Sequence, residues 1–244
     1  VYLFDKDHTD GGYLWYYNVV GSGTKVKVDI STDGEVIVAG TIRSSDSGNQ
    51  VYRFSKDSST PKLSYSIGSA INSIKISTSG EYFVVAKADN ILFWDTDSTG
   101  SAKWSYDHDD DINSIDLSLN GDFTIAGAED GYVLFFNNSV DSCTPTCATP
   151  AWIQEYDNAI THVSMSSSGD YSLVSVESDK ELYLLSKENQ SHLWLHELDD
   201  EILSTSISSD GKYISVGSED DNKVYLFKNS NIIRPNVMLY NPLN

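Results

Sequence analysis

The sequence predicts an all-β fold, a β-propeller of four-stranded antiparallel blades, on three observations. A Ser-x-x-Gly turn recurs at residues 31–34, 77–80, 118–121, 166–169 and 208–211, so successive glycines lie 46, 41, 48 and 42 residues apart, the length of one blade. An alternating apolar run, the period of a half-buried strand, precedes every one of these turns. A large apolar residue (Trp15, Leu63, Trp104, Trp152, Trp194) falls at the matching place of successive outer strands and reads as a stripe of plates wedged between neighbouring blades.

Taken in order, residues 1–19 form a partial blade: VYLFDKD at the start matches VYLFKNS at 224–230, a third strand, and a fourth follows at 13–19. Two inner strands are expected ahead of Val1, in a longer parent chain or lost by processing. The blade at 24–67 uses strands 25–31, 35–41, 50–55 and 62–67, with a polar loop at 43–50. The blade at 71–106 uses 71–77, 81–87, 90–95 and 102–106. In the blade at 112–156 the strands 112–118, 122–128, 132–137 and 151–156 are separated by the turns Asn120-Gly121 and Asp130-Gly131, whose residues tolerate the positive φ a tight turn needs. The blade at 160–197 uses 160–166, 170–176, 181–186 and 192–197. The blade at 202–240 uses 202–208, 212–218 and 223–228, with 237–240 as its one apolar candidate for an outer strand, held between Pro235 and Pro242. The whole of 1–244 is then a single propeller domain of six repeats, the first partial, in a ring of six to eight blades.

Composition bounds the partners. Thirty-six acidic against 16 basic side chains give a formal charge of -20, a field that repels nucleic acid and anionic lipid. No window is long and apolar enough to cross a membrane as a helix. The carboxylates Asp107, Asp109, Asp110 and Asp111 read as an exposed acidic rim.

Candidate sites are few. Cys143 and Cys147 are the only cysteines and share one long insertion; zinc would need two further soft ligands, whereas a disulfide needs only these two. Asn137 and Asn189 open acceptor sequons in the turns between third and fourth strands. A disulfide and glycans together point to an extracellular or cell-surface protein. Asp95, Asp97, Thr99 and Gly100 have the alternating oxygen spacing of a calcium loop, echoed by Asp5, Asp7 and Thr9, but the closing glutamate is missing and an ordinary solvated hairpin is favoured. No catalytic residue and no other cofactor is expected: the five histidines lack zinc spacing, although His192 and His196 could share a face, and no Gly-x-Ser-x-Gly, His-Glu-x-x-His or phosphate-cradling loop occurs.

The segment ILFWDTDSTGSAKWSY at 91–106 resembles the repeat of the quinoprotein-like propellers, in which a strand ends in Asp, a Thr-Gly turn follows and a Trp stands four residues after the glycine, as Gly100 and Trp104 do. The Ser-x-(Asp/Asn)-Gly turns and the strand ends Val38-Ala39-Gly40 and Val216-Gly217 are similar to WD40 repeats. Trp94-Asp95 is the only literal WD pair and no Gly-His pair occurs, so the hydrogen-bonded tetrad that a WD40 resemblance implies is not carried over. Both resemblances imply the propeller; neither fixes a function. Quinoprotein enzymes would imply a cofactor pocket with calcium ligands and a catalytic Asp, for which this chain has no added elaboration. The expected function is therefore a non-catalytic extracellular binding or structural module engaging a protein or glycan; the alternative is a quinoprotein-like oxidoreductase fragment or a cation-binding propeller.

Overall fold

The computed structural model describes residues 1–5, 12–19, 24–42, 48–139, 148–178, 180–219, 223–229 and 236–240, with the backbone alone for 189–191 and 236–240. β1 (Tyr2–Phe4) and β2 (Tyr13–Tyr16) form a two-stranded sheet. Five four-stranded antiparallel sheets follow, each running from an inner to an outer strand in chain order. They are β3 (Lys25–Ile30), β4 (Val36–Ile42), β5 (Asn49–Ser55) and β6 (Ser58–Gly68); β7 (Ile71–Ile76), β8 (Tyr82–Lys87), β9 (Asn90–Asp95) and β10 (Trp104–Asp107); β11 (Ile112–Leu117), β12 (Phe123–Ala128), β13 (Tyr132–Asn137) and β14 (Trp152–Glu155). The last two are β15 (Ile160–Met165), β16 (Tyr171–Val176), β17 (Glu181–Ser186) and β18 (Asn189–Glu197), then β19 (Ile202–Ile207), β20 (Tyr213–Ser218), β21 (Val224–Lys228) and β22 (Asn236–Tyr240). The third strands β9, β13 and β17 have the bounds expected from the sequence. β6 and β18 start earlier than expected, because a tight turn at Lys56 or Lys187 returns the chain directly into the ladder.

The Ser-x-x-Gly turn repeats for a physical reason visible in all five blades. Its serine hydroxyl accepts the N–H that opens the second strand: Ser31 from Val36, Ser77 from Tyr82, Ser118 from Phe123, Ser166 from Tyr171 and Ser208 from Tyr213, at 2.9–3.1 Å. Alanine would leave that amide without its partner. The glycine is fixed twice over at Gly121: its φ is +76°, and a Cβ there would lie 2.6 Å from the Tyr82 ring of the preceding blade. Successive turns are also bonded to one another, Ser79 N–H to Leu119 O (3.0 Å), Leu119 N–H to Ser167 O (2.8 Å) and Ser167 N–H to Ser209 O (3.1 Å). Each sheet is thereby tied to the next at its inner end.

The apolar core lies between blades rather than within one, since a sheet buries its faces only against its neighbours. Trp104 stacks on Phe93 of its own sheet (5.1 Å, 9°) and on Phe136 of the next (5.2 Å, 28°). Trp152 stacks on Phe135 and donates its indole N–H across the interface to Lys187 O (3.1 Å). Trp15 packs on Phe54 and bonds Lys56 O (2.7 Å) in the same way. Trp194 packs on Phe227, half-buried, and its indole nitrogen has no partner among the described residues. Leu63 occupies the fifth such position, and the next sheet answers the smaller side chain with a larger one: Trp94, fully buried in the same cluster and stacked on Phe83 (5.1 Å, 5°). Trp94 is not among the outer-strand residues of the stripe, because it sits on a third strand, β9. It belongs to the same interface from the opposite side.

Candidate interaction face

One end of the disc is built from the loops that lead into each inner strand and the turns between second and third strands. Backbone hydrogen bonds lock the two sets together: His108 N–H to Asp89 O, Glu129 N–H to Asp111 O, Glu177 N–H to Ala159 O and Glu219 N–H to Glu201 O, at 2.8–3.1 Å. These bonds fix the backbone and leave the side chains at the surface. Asp107, Asp109, Asp110 and Asp111 are all exposed, as are Asp89, Glu129, Asp157, Glu177, Asp199, Glu201 and Glu219 on the adjoining loops. Lys180 supplies a positive charge beside them, and its ammonium is held by Asp199 O at 2.8 Å. The field of this face registers on two tyrosines. Burial, with Asp109 and Asp130 adding to it, pushes the Tyr106 hydroxyl above its ordinary pKa; Glu155, then burial and Asp130, does so for Tyr132.

The loop 107–111 was legible as an acidic rim, whereas its extension around the face was not. The signal lay in a position: the residue following the second strand is Glu129, Glu177 or Glu219 in three consecutive blades. A second feature also escaped the sequence. His108 Nε2 lies 3.0–3.1 Å from the Asp130 carboxylate, with the imidazole largely covered, so a His-Asp pair ties the loop leading into β11 to the β12–β13 turn of the same sheet without the Gly-His dipeptide.

The inner strands line a polar channel of about 240 Å³ that opens at the opposite end. Its charged residues are Asp29, Lys75 and Asp116. Asp29 accepts the N–H of Ile76 (3.0 Å) and Asp116 that of Met165 (2.7 Å), so each carboxylate bonds the neighbouring inner strand. Burial raises the Asp116 pKa, opposed by Lys75 at 3.9 Å and by the N–H groups of Met165 and Leu117. These carboxylates are tied into the ring as structural acceptors.

The residues singled out in the sequence are dispersed. Asp95 accepts the N–H of Asp97 (2.8 Å) as an ordinary turn, and Thr99 is exposed. Arg53, buried in the adjoining sheet, has its pKa lowered by burial, opposed by the negative charges of Asp97 and Asp95. Among the described residues no group of three or more His, Cys, Asp or Glu converges as a metal site. Asp7, Thr9, Cys143 and Cys147 lie outside the described residues. Asn137 ends β13 half-buried, its carbonyl accepting both the N–H (3.1 Å) and the hydroxyl (2.6 Å) of Ser139; Asn189 opens β18. His192 packs on Tyr183 of its own sheet and His196 on Phe227 of the next, so the two do not form a pair.

The family model described as WD domain, G-beta repeat matches residues 100–137 and 190–228. Each match takes the outer strand of one sheet with the first three strands of the next, β10–β13 and β18–β21, so it spans the interface that the tryptophan wedge closes. Among solved structures, a chain of the crystal structure of a mitotic checkpoint complex has the same fold, with a TM-score of 0.74 at 13% identity, over 92% of this chain and 69% of that one. No curated protein matches the sequence. The chain therefore has the β-propeller fold, and two of its repeats are similar to the WD domain, G-beta repeat.

Proposed function

We propose that the chain is a non-catalytic protein-binding module that receives a basic partner on its acidic loop face. The observation that carries this reading is the band of exposed carboxylates that rigid, mutually bonded loops from adjoining blades hold at one end of the disc. Fixed like charges there repel one another, and a Lys- or Arg-rich surface relieves that repulsion on docking and is steered toward it. A glycan would need aromatic platforms, and this face offers carboxylates in their place. The reading needs no cofactor.

The test is binding of a Lys-rich peptide at low and moderate salt. Asp109→Asn, Asp110→Asn and Asp111→Asn together should weaken it, while removing three charges from the opposite end (Glu81→Gln, Asp122→Asn, Asp170→Asn) should matter less. Equal loss from both triple variants would reduce the interaction to net charge and sink the proposal.

A location outside the cell or at its surface is the reading that Cys143 and Cys147, taken as a disulfide, and the sequons at Asn137 and Asn189 support. Intact-mass analysis of protein from its native source tests this. Two cysteines that alkylate freely without reductant, and no glycan mass, would remove its support.

A further inference from the structure

Two inner strands make the same bridge and a third replaces it. Asn72 of β7 and Asn113 of β11 each donate an Nδ2–H to the carbonyl that opens the next inner strand, Ile112 O at 3.1 Å and Ile160 O at 3.2 Å. The matching residue of β15 is Thr161, whose hydroxyl turns instead to Ser175 Oγ of its own sheet at 2.8 Å. The residue after it, Ser73 or Ser114 in the two preceding sheets, is His162. Where the bridge to Ile202 is replaced, a recess of about 220 Å³ lies between the two sheets, and Ile202 is 7% exposed although Ile71, Ile112 and Ile160 are fully covered. Its walls are the β15–β18 and β19–β22 sheets, each present from inner to outer strand.

The recess opens on the acidic face. Val176, Ile202 and Leu203 give it an apolar side, and Glu177 and Glu201 set two exposed carboxylates beside them. The one ammonium in its described lining, Lys180, is engaged by Asp199 O at 2.8 Å. Ser178 and Lys180 hold φ of +64° and +54° in the adjoining turn, a conformation costly for a residue with a Cβ, and such strain gathers at binding sites. Burial, with the charge of Lys27 adding to it, keeps His162 below the ordinary histidine pKa against its hydrogen bond to the Leu203 backbone. That bond takes one ring N–H, and a neutral imidazole accepts at its other nitrogen.

We propose that the recess holds one lysine or arginine side chain of the basic partner, its alkyl stem along Ile202 and Leu203 and its cationic head donating to His162 and answering Glu177 and Glu201. An acidic side chain would meet two like charges, and an aliphatic one would strip water from both carboxylates without supplying a counter-charge. The inference rests on the acidic-face reading and adds a socket to it.

Thr161→Asn is the test, because it keeps every charge and restores the bridge that Asn72 and Asn113 make. The probes are labelled Lys-rich and Arg-rich peptides of equal length, which also tell the two side chains apart. Binding of the tighter probe at moderate salt should weaken at least about tenfold, the loss expected of an anchor side chain, with the melting temperature unchanged or raised. In the parent chain the ring signals of His162, assigned by their absence from His162→Gln, should move on addition of peptide, while those of His192 on the outer strand should not. The two readings fail separately. Loss of binding in the Asp109, Asp110 and Asp111 triple variant with none in Thr161→Asn, or His162 signals that stay in place, would overturn the socket and leave the acidic face standing. No saturable binding to the parent chain would overturn both.

Discussion

Leu63 stands directly opposite Arg53 across β5 and β6, the position at which other blades set Trp104 against Phe93, Trp152 against Phe135 and Trp194 against Leu184. The smaller wedge leaves room that Trp94 fills from the next sheet, where the equivalent residues are Phe54, Phe136 and Phe227. Trp94→Phe should cost about 1–3 kcal/mol through underpacking and Leu63→Trp a similar amount through overpacking. The double variant recreates the packing of the neighbouring interfaces. It should be more stable than the sum of the singles by about 0.5–3 kcal/mol in a denaturant-unfolding cycle; strict additivity would show that the two side chains do not share one space.

The buried turn serines give a second prediction. Ser118 is 2% exposed and its hydroxyl is the acceptor for the Phe123 N–H at 2.9 Å. Ser118→Ala should therefore cost about 1–3 kcal/mol, the penalty of a buried donor left unpaired. Ser208→Ala, in a turn open to water, should cost less. Equal midpoints for the two variants in urea would refute this ranking.

Most of the fold was legible because its signals are local. A glycine with positive φ, a serine that bonds five residues along the chain and strict alternation each act within ten residues, and together they place β9, β13 and β17 at their observed bounds. What was not legible depends on partners a repeat away. Trp94 reads as an ordinary third-strand aromatic until Leu63, 31 residues earlier, is known to leave it space. Likewise the His108–Asp130 pair ties a blade's entry loop to its own second turn without a contiguous motif, and the acidic face gathers single glutamates from separate turns.

Acidification should destabilise the protein before its carboxylates titrate. Burial holds His162 and His196 below the ordinary histidine pKa, against the opposing pull of the Leu203 backbone on His162 and of Asp199 on His196. A folded value below the unfolded one, about 6.5, means that the unfolded chain binds more protons in the window between them. Their contribution is fully present above about pH 6.5 and is lost as pH falls through that window toward the folded values. The turn carboxylate Asp210, held at about 2 by the Ser208 hydroxyl and the Lys212 N–H, enters only at much lower pH. Asp116, whose pKa is raised, acts with the opposite sign. Urea midpoints should fall between pH 7.5 and 5.5, and His162→Gln should flatten that slope; a slope unchanged by the substitution would assign the effect elsewhere.

The turn glycines separate backbone strain from packing, because two of them share a conformation and differ in surroundings. Gly34 and Gly121 have φ of +74° and +76°. A Cβ on Gly34 meets nothing within 4 Å, whereas one on Gly121 would lie 2.6 Å from Cδ2, 2.9 Å from Cβ and 3.0 Å from Cγ of Tyr82. Gly34→Ala should therefore show the left-handed penalty alone, about 1–2 kcal/mol. Gly121→Ala should exceed it, because the clash reaches the Cβ of Tyr82 and a ring rotation cannot relieve it. Removing the whole side chain isolates the second term: in a Tyr82→Gly background most of the excess at Gly121 should disappear, bringing its cost down toward the Gly34 value. If Gly121→Ala is no more costly than Gly34→Ala in the parent protein, or remains as costly after Tyr82 is truncated, the close approach of successive blades at their turns does not constrain this position.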